Sequence, residues 1–416
     1  MILFLFASAL ICVCLGALWQ RYQPRRETNI TGPETCKFLR DVKSCKKILS
    51  SGNLKVRRMD DVLTLLESRA GPNHRLVRAF EIDNAFTTTD KSFYRKFMSK
   101  ARRLVAKDEP TWKLMSDLMR DHVSFESQST TSNQSFPLVP LVQAVVLKIT
   151  MYTLFKSPAE KLEAAKIRLI AERINRLWID SKSTHEPERF QEDRRELRET
   201  VHTILSVTRV DMDRNNPLNL ILPAYETLWR VVLRGFLEVT FRGAEAGTEW
   251  RQLLKTFLAD PTLSTFKRTN DLTGISVAFI VAETLRLYPP TRRIYRDTKP
   301  KVKDDPPAHF AADIEFLHRN AKIWGEDSLS FNPSRWKDVS KKCQDAYMPF
   351  GWKPFTCPTK DDFGPRMIGL AVAALVAEFE HGWTWRAARS EDQIDVDGPL
   401  EAERDSYVTL QLAKRE

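Results

Sequence analysis

Four short segments hold residue types and spacings that chemistry needs. Cys357 closes the run Phe350-Gly-Trp-Lys-Pro-Phe-Thr-Cys357. A cysteine thiolate is both a nucleophile and a soft metal ligand, while a buried structural thiol is the plainer role. Glu283-Thr-Leu-Arg286 puts a carboxylate and a guanidinium three residues apart, on one helix face. Such pairs are commonest on surfaces, but this one lies in an apolar stretch ended by Pro289-Pro290. Buried there, it needs another partner, and Arg335 in Phe331-Asn-Pro-Ser-Arg335-Trp336 is a candidate. The last segment, Pro223-Ala-Tyr-Glu226-Thr227, sets an acid and a hydroxyl within an apolar stretch. Burying them is costly unless they are hydrogen-bonded or hydrated. They read either as a satisfied pair near a helix start or as a proton-delivery device.

The elements that must position these residues are mostly helical. Val62, Leu63, Leu65 and Leu66 recur at helical spacing, as do Trp112, Met115, Leu118 and Met119. The polar stretch Ser124 to Phe136 is expected to be a loop, and Pro137 to Pro140 to open a long apolar helix reaching about Phe155. The charge-rich segments 159–180 and 186–210 read as surface helices. Residues 218–242 are apolar all round, which predicts one long helix through the middle of the fold. Further apolar helices are expected over 274–287 and 363–379, with short strands over 291–302, near Ile394 and over 407–412. The class is mainly α with small β-sheets.

The chain has 416 residues and a net charge of +11, which suits acidic partners or an anionic membrane surface. Zinc-finger spacing and a continuous basic, base-reading helix are both missing, so nucleic-acid binding is not expected. The six cysteines form no CxxC pair and are too few for a disulfide framework, which reads as a reduced, cytosol-facing body. Residues 1–19 contain no charged side chain, and at about 1.5 Å per residue they just cross a hydrocarbon core of about 30 Å. Arg21, Arg25 and Arg26 follow, placing the C-terminal side in the cytosol. A cleaved signal peptide would want a basic stretch first. The expected organisation is a transmembrane anchor (1–19), a linker (20–35) and a catalytic domain (36–416).

The Glu283–Arg286 helix, His318-Arg-Asn320, Trp324-Gly-Glu-Asp327, the Phe331–Trp336 turn and the Phe350–Cys357 loop come in one order. In that order they resemble the cytochrome P-450 family, with the likeness running from Leu218 to about Leu412. The resemblance implies the P-450 fold, haem b as cofactor, and Cys357 as axial ligand of the haem iron, where thiolate ligation favours O–O cleavage. It makes Phe350 and Arg296 cofactor-binding, the latter toward a propionate, with Arg292 and Arg293 as neighbouring helpers. Glu283, Arg286 and Arg335 become the triad that holds the haem loop. Glu226 and Thr227 become catalytic, delivering protons during dioxygen activation.

The implied activity is a monooxygenase inserting one oxygen atom into an apolar substrate near Ala224, Glu226, Pro290 and Thr291. Electrons come from NADPH through a diflavin reductase, at the endoplasmic reticulum membrane with a single pass. Lys337, Lys341, Lys342, Lys353 and Lys360 are read as the reductase-facing surface. Three departures stand out: Lys353, Phe355 and Thr359 occupy places where the family has Gly, Arg and Gly. No WxxxR helix is present, since Ser116 follows Trp112, leaving Arg95, Arg102 and Arg103 as substitutes. The N-terminal half is also shorter than usual, with no identifiable opening strands. These departures leave open a haem-free scaffold, or a haem-thiolate isomerase or dehydratase needing no external electrons. Val77 to Phe93 is similar to fungal members, which implies secondary metabolism.

Overall fold

The computed structural model describes residues 36–51, 64–128, 135–157, 162–183, 185–205, 216–242, 245–298, 308–394 and 397–414. The expected anchor and linker lie outside these residues. The described chain begins with β1 (Lys37–Leu39), α1 (Val42–Ser51), α2 (Leu65–Phe80), α3 (Lys91–Val105), α4 (Glu109–Gln128) and β2 (Ser135–Pro137). It continues through α5 (Leu138–Phe155), α6 (Ala164–Asp180), α7 (Phe190–Leu205), α8 (Leu218–Tyr225), α9 (Leu228–Leu237) and a π-helical turn at Glu238–Arg242. Next come α10 (Glu245–Ala259), α11 (Leu263–Lys267), α12 (Val277–Leu287), β3 (Arg293–Thr298), β4 (Ala308–Asp313), α13 (Ile314–Arg319) and α14 (Ala321–Trp324). The rest is α15 (Lys341–Ala346), α16 (Phe363–Phe379), β5 (Trp383–Ala387) and β6 (Leu410–Lys414), with 3-10 turns at Pro333–Trp336 and Ser390–Asp392.

The strands form two small sheets in the orders β1-β4-β3 and β2-β6-β5. In the first, β1 runs parallel to β4 with Lys37 opposite Phe310, and β3 pairs antiparallel with β4 from Arg293–Asp313 to Thr298–Ala308. The opening strand that sequence did not reveal is therefore β1, too short for its own alternation to register. The second sheet is antiparallel throughout.

Two all-round apolar helices make the core. Along α16, Met367 to Val376 are buried without a break, and the helix packs on α4, α9, α10 and α12. Along α5, Leu138 and residues from Leu141 to Met151 are buried, packed against α4, α6, α8 and α9. Each fully buried aliphatic side chain contributes about 1.5–3 kcal/mol. Among the described residues α5 is the one helix long and apolar enough to cross a membrane, yet 78% of it is buried inside the fold. It is a core helix.

Four features depart from expectation. Helix α4 runs to Gln128, through the first part of the polar stretch expected to be a loop. Ser127 there spends its hydroxyl on Ser124 O and on Glu378, at 2.9 and 2.7 Å. Ile394 lies outside any strand, and the last strand starts at Leu410. The long central helix is interrupted at Glu226–Thr227, between α8 and α9. Pro223 has no N–H to give Asn219, and the freed Asn219 carbonyl accepts from Asn84 Nδ2 at 3.2 Å.

Candidate cofactor site

Helix α12 starts at Ser276, whose hydroxyl accepts from Phe279 N, and ends at the double proline with Glu283 and Arg286 fully buried. Arg286 Nε and Nη2 each donate to Glu283 at 2.8 Å. Its other donors reach His318 O (2.7 Å), Ser328 O (2.6 Å) and Ser330 O (3.1 Å), so all five N–H groups are satisfied. Glu283 also accepts from Arg335 Nε (3.3 Å), Asn332 N (3.0 Å) and Trp336 Nε1 (3.0 Å). Asp327 holds the far end of Arg335 at 2.8 Å. The three residues read from spacing thus meet around one carboxylate.

This knot reaches the cysteine loop through His318. Its Nδ1 contacts Arg286 O at 3.1 Å, and its Nε2 accepts from Met348 N at 2.9 Å. Burial first, then the Arg286 charge, push the imidazole down to about 3, so it stays neutral and keeps that acceptor. Tyr347 stacks on His318 and donates to Ala282 O at 3.2 Å. From Met348 the chain turns through Gly351 at φ +73°, then through a cis Lys353–Pro354 bond. Cys357 N donates back to Phe350 O at 3.0 Å and closes the loop. Gly351 supplies the left-handed turn, so glycine is not required where Lys353 and Thr359 stand. Cys357 is half-buried, and its Sγ lies 3.1 Å from Thr359 Oγ1.

Two guanidiniums flank this loop. Helix α2 packs on β3, with Ser68 Oγ donating to Asp297 O at 2.7 Å. A side chain at Gly71 would collide with Asp297, so the close approach needs glycine there. That contact brings Arg69 beside Arg296, both over the ring of Phe355 at 4.5 and 5.5 Å, with Cys357 close enough to influence Arg69. Both arginines are buried, and Arg69 Nη1 and Arg296 Nε have no hydrogen-bond partner. Burial lowers Arg69 to about 10; burial, then the Arg69 charge, lower Arg296 to about 9. Two adjoining buried cations with open N–H groups are costly until an anion meets them.

Glu226 and Thr227 sit at the break between α8 and α9. Glu226 is buried and accepts from Arg404, while Arg230 stands 4.0 Å away and donates to Pro290 O at 2.6 Å. Glu226 and Pro290, expected at one substrate site, are thus linked through Arg230. Arg292 is committed to Glu315 at 2.6 Å and to Glu403, and Arg293 stands 4.0 Å from Asp313. Arg95, Arg102 and Arg103 are exposed on α3.

Residues 277–384 match the family model described as Cytochrome P450. Over this stretch the chain is similar to the cytochrome P450 family. It is 42% identical over 103 residues to cytochrome P450 CYP72A616 of Paris polyphylla, covering 22% of this chain and 20% of that one. It is 34% identical over 123 residues to secologanin synthase 1 of Catharanthus roseus, covering 28% and 23%. The matched stretch spans about a fifth of the length of these curated relatives. Two solved structures from Thermus thermophilus share the fold at 15% identity. A 6-coordinated cytochrome P450 of that organism has a TM-score of 0.59 over 91% of this chain and 92% of that one. The other, CYP175A1, has 0.61 over 91% and 89%.

Similarity to the P450 family implies a haem iron, and the residues present suit one. The chain offers a thiol for the metal and, beside it, two buried guanidiniums with open donors for carboxylates. Sequence reading named Cys357 and Arg296 but missed Arg69. The available signal was a lone Arg on the inward stripe of α2, a helix capped by the reciprocal Thr64–Glu67 pair.

Proposed function

We propose that this protein is a haem-thiolate monooxygenase of the P450 family that inserts one oxygen atom from dioxygen into a small, largely apolar substrate. The observation that carries this reading is Cys357 beside Arg69 and Arg296, two buried cations with unpartnered N–H groups. Cys357 Sγ would ligate the iron, and Arg69 with Arg296 would hold the carboxylates of haem b. When bound, the haem supplies the iron and the redox chemistry that activates dioxygen. The chain does the rest. Glu283, Arg286 and Arg335 fix the loop through His318 and Met348, the Thr359 hydroxyl donates to the sulfur, and Glu226 with Thr227 delivers protons.

The plant relatives, one named as a synthase of secologanin, support a place in specialised metabolism; the likeness over Val77 to Phe93 points to a fungal source. Electrons arrive from NADPH through a diflavin reductase, and residues 1–19 anchor the chain in the endoplasmic reticulum membrane. The deciding experiment is the carbon monoxide difference spectrum of the reduced full chain. The expected result is a red-shifted thiolate band in the parent that disappears in Cys357→Ala, with the protein still membrane-bound. Persistence of the band in the variant ends the assignment. A second reading, a haem-free scaffold, is favoured by one feature: the ring of Phe355 lies over both arginines. Absence of bound haem in the parent would support it.

A further inference from the structure

The break between α8 and α9 gathers more charge than an apolar substrate site needs. Arg75 from α2 and Arg404 from the C-terminal loop both stack on the indole of Trp178 in α6, at 4.9 and 4.4 Å. Arg404 is 6% exposed and pairs with Glu226. Arg75 donates to the neutral Ser181 hydroxyl at 2.6 Å. The neighbouring acids Glu315 and Glu403 are engaged by Arg292. Burial, then the Arg75 charge, push Arg404 well down, and burial lowers Arg75 and Arg230 to about 10.

The cations here also have open partners around them. Tyr225 Oη and Arg230 Nε are buried donors without a partner, and Glu226 Oε2 is a buried acceptor without one. The loop bearing Arg404 is clamped in place. Arg234 donates to Glu401 O at 3.0 Å and to Glu403 O at 2.7 Å, while Leu400 N donates to Tyr288 Oη at 2.9 Å. A guanidinium held this firmly is preorganised for recognition.

We propose that Arg404 and Arg75, stacked on Trp178 with Tyr225 and Arg230 beside them, receive a carboxylate of the substrate. The ligand is then an amphipathic acid, with its apolar body against the central helices and its charged end at this cluster. The proposal rests on the oxygenase reading for its notion of a substrate. It adds a coupling: an incoming carboxylate competes with Glu226 for Arg404 and frees the Glu226 carboxylate from that pair.

The test compares dodecanoate with methyl dodecanoate on the full, haem-loaded chain. Binding is measured by calorimetry and by tryptophan fluorescence, with Trp178→Phe identifying the reporting ring. The acid is expected to bind about tenfold or more tighter than the ester. Arg404→Gln and Arg75→Gln should each remove most of that preference. Arg75→Gln keeps the Glu226–Arg404 pair intact and decides the matter if Arg404→Gln fails to fold. Equal binding of acid and ester, no binding of the acid, or a preference surviving in the variants overturns the proposal. Acid-selective binding by a protein without the thiolate carbon monoxide band would instead sink the oxygenase reading and leave the carboxylate site standing.

Discussion

Thr359 illustrates how a single departure from a family pattern changes its meaning once the geometry is known. By sequence it replaces a glycine and suggests a damaged turn. In the fold the turn belongs to Gly351, and the Thr359 hydroxyl lies 3.1 Å from Cys357 Sγ. As a thiolate the sulfur can only accept, so the hydroxyl donates and draws charge from it. Thr359→Val should therefore lower the reduction potential of the haem-loaded protein by on the order of 50 mV, where about 59 mV is tenfold for one electron. Redox titration checks this, with Thr359→Ser expected to restore the parent value. An unchanged potential in the valine variant would assign that hydroxyl another partner. Phe355, the other departure, exchanges a charged side chain for a ring that stacks on two guanidiniums contributed from elsewhere in the chain.

At the scale of elements, α12 does more than carry the Glu283–Arg286 pair. It ends on carbonyls that hold other segments: Leu287 O accepts from Arg319 at 2.6 Å and Arg286 O contacts His318. The pair is therefore a joint between helix, turn and cysteine loop. Replacing Glu283 by Ala leaves the buried Arg286 without its carboxylate and takes the acceptor from Arg335 Nε and Trp336 Nε1, at a cost of about 3–5 kcal/mol. The expected outcome is loss of folded, haem-loaded protein rather than slower turnover, read by thermal unfolding and haem content together. Parent-like stability with full haem content would contradict the buried geometry. The break between α8 and α9 has the opposite purpose. Glu226 keeps helical backbone angles at the junction, and its side chain reaches Arg404 of the C-terminal loop.

At the scale of the whole molecule, five lysines lie close in sequence to the cysteine loop. Lys337, Lys341, Lys342, Lys353 and Lys360 are exposed, Lys341 at 82% of its side chain. Complementary charge raises the rate of encounter more than final affinity, and a reductase surface rich in acids would be steered to this face. Reversing Lys341, Lys342 and Lys353 together should slow reduction by the reductase, most at low salt, where screening is weakest. Stopped-flow reduction across ionic strength measures this, and substrate binding should stay as in the parent. Identical rates and salt dependence would move the docking face elsewhere.

What the sequence alone determined were features whose cause is local or ordered along the chain. The helices 363–379 and 138–155 follow from apolar runs bounded by prolines or charge, and Glu283, Arg286, Arg335 and Cys357 stand out by spacing. The tertiary structure decided what depends on distant partners. Arg69 and Arg296 are 227 positions apart in number, and only the packing of α2 on β3 sets them side by side. Glu226 meets Arg404 across 178 positions, which turned an expected apolar corner into a charged one. Strand β1 is three residues long and exists because β4 offers it a ladder. Periodicity and capping act within a few residues, whereas the pairing of buried charges is settled only where the fold excludes water from both.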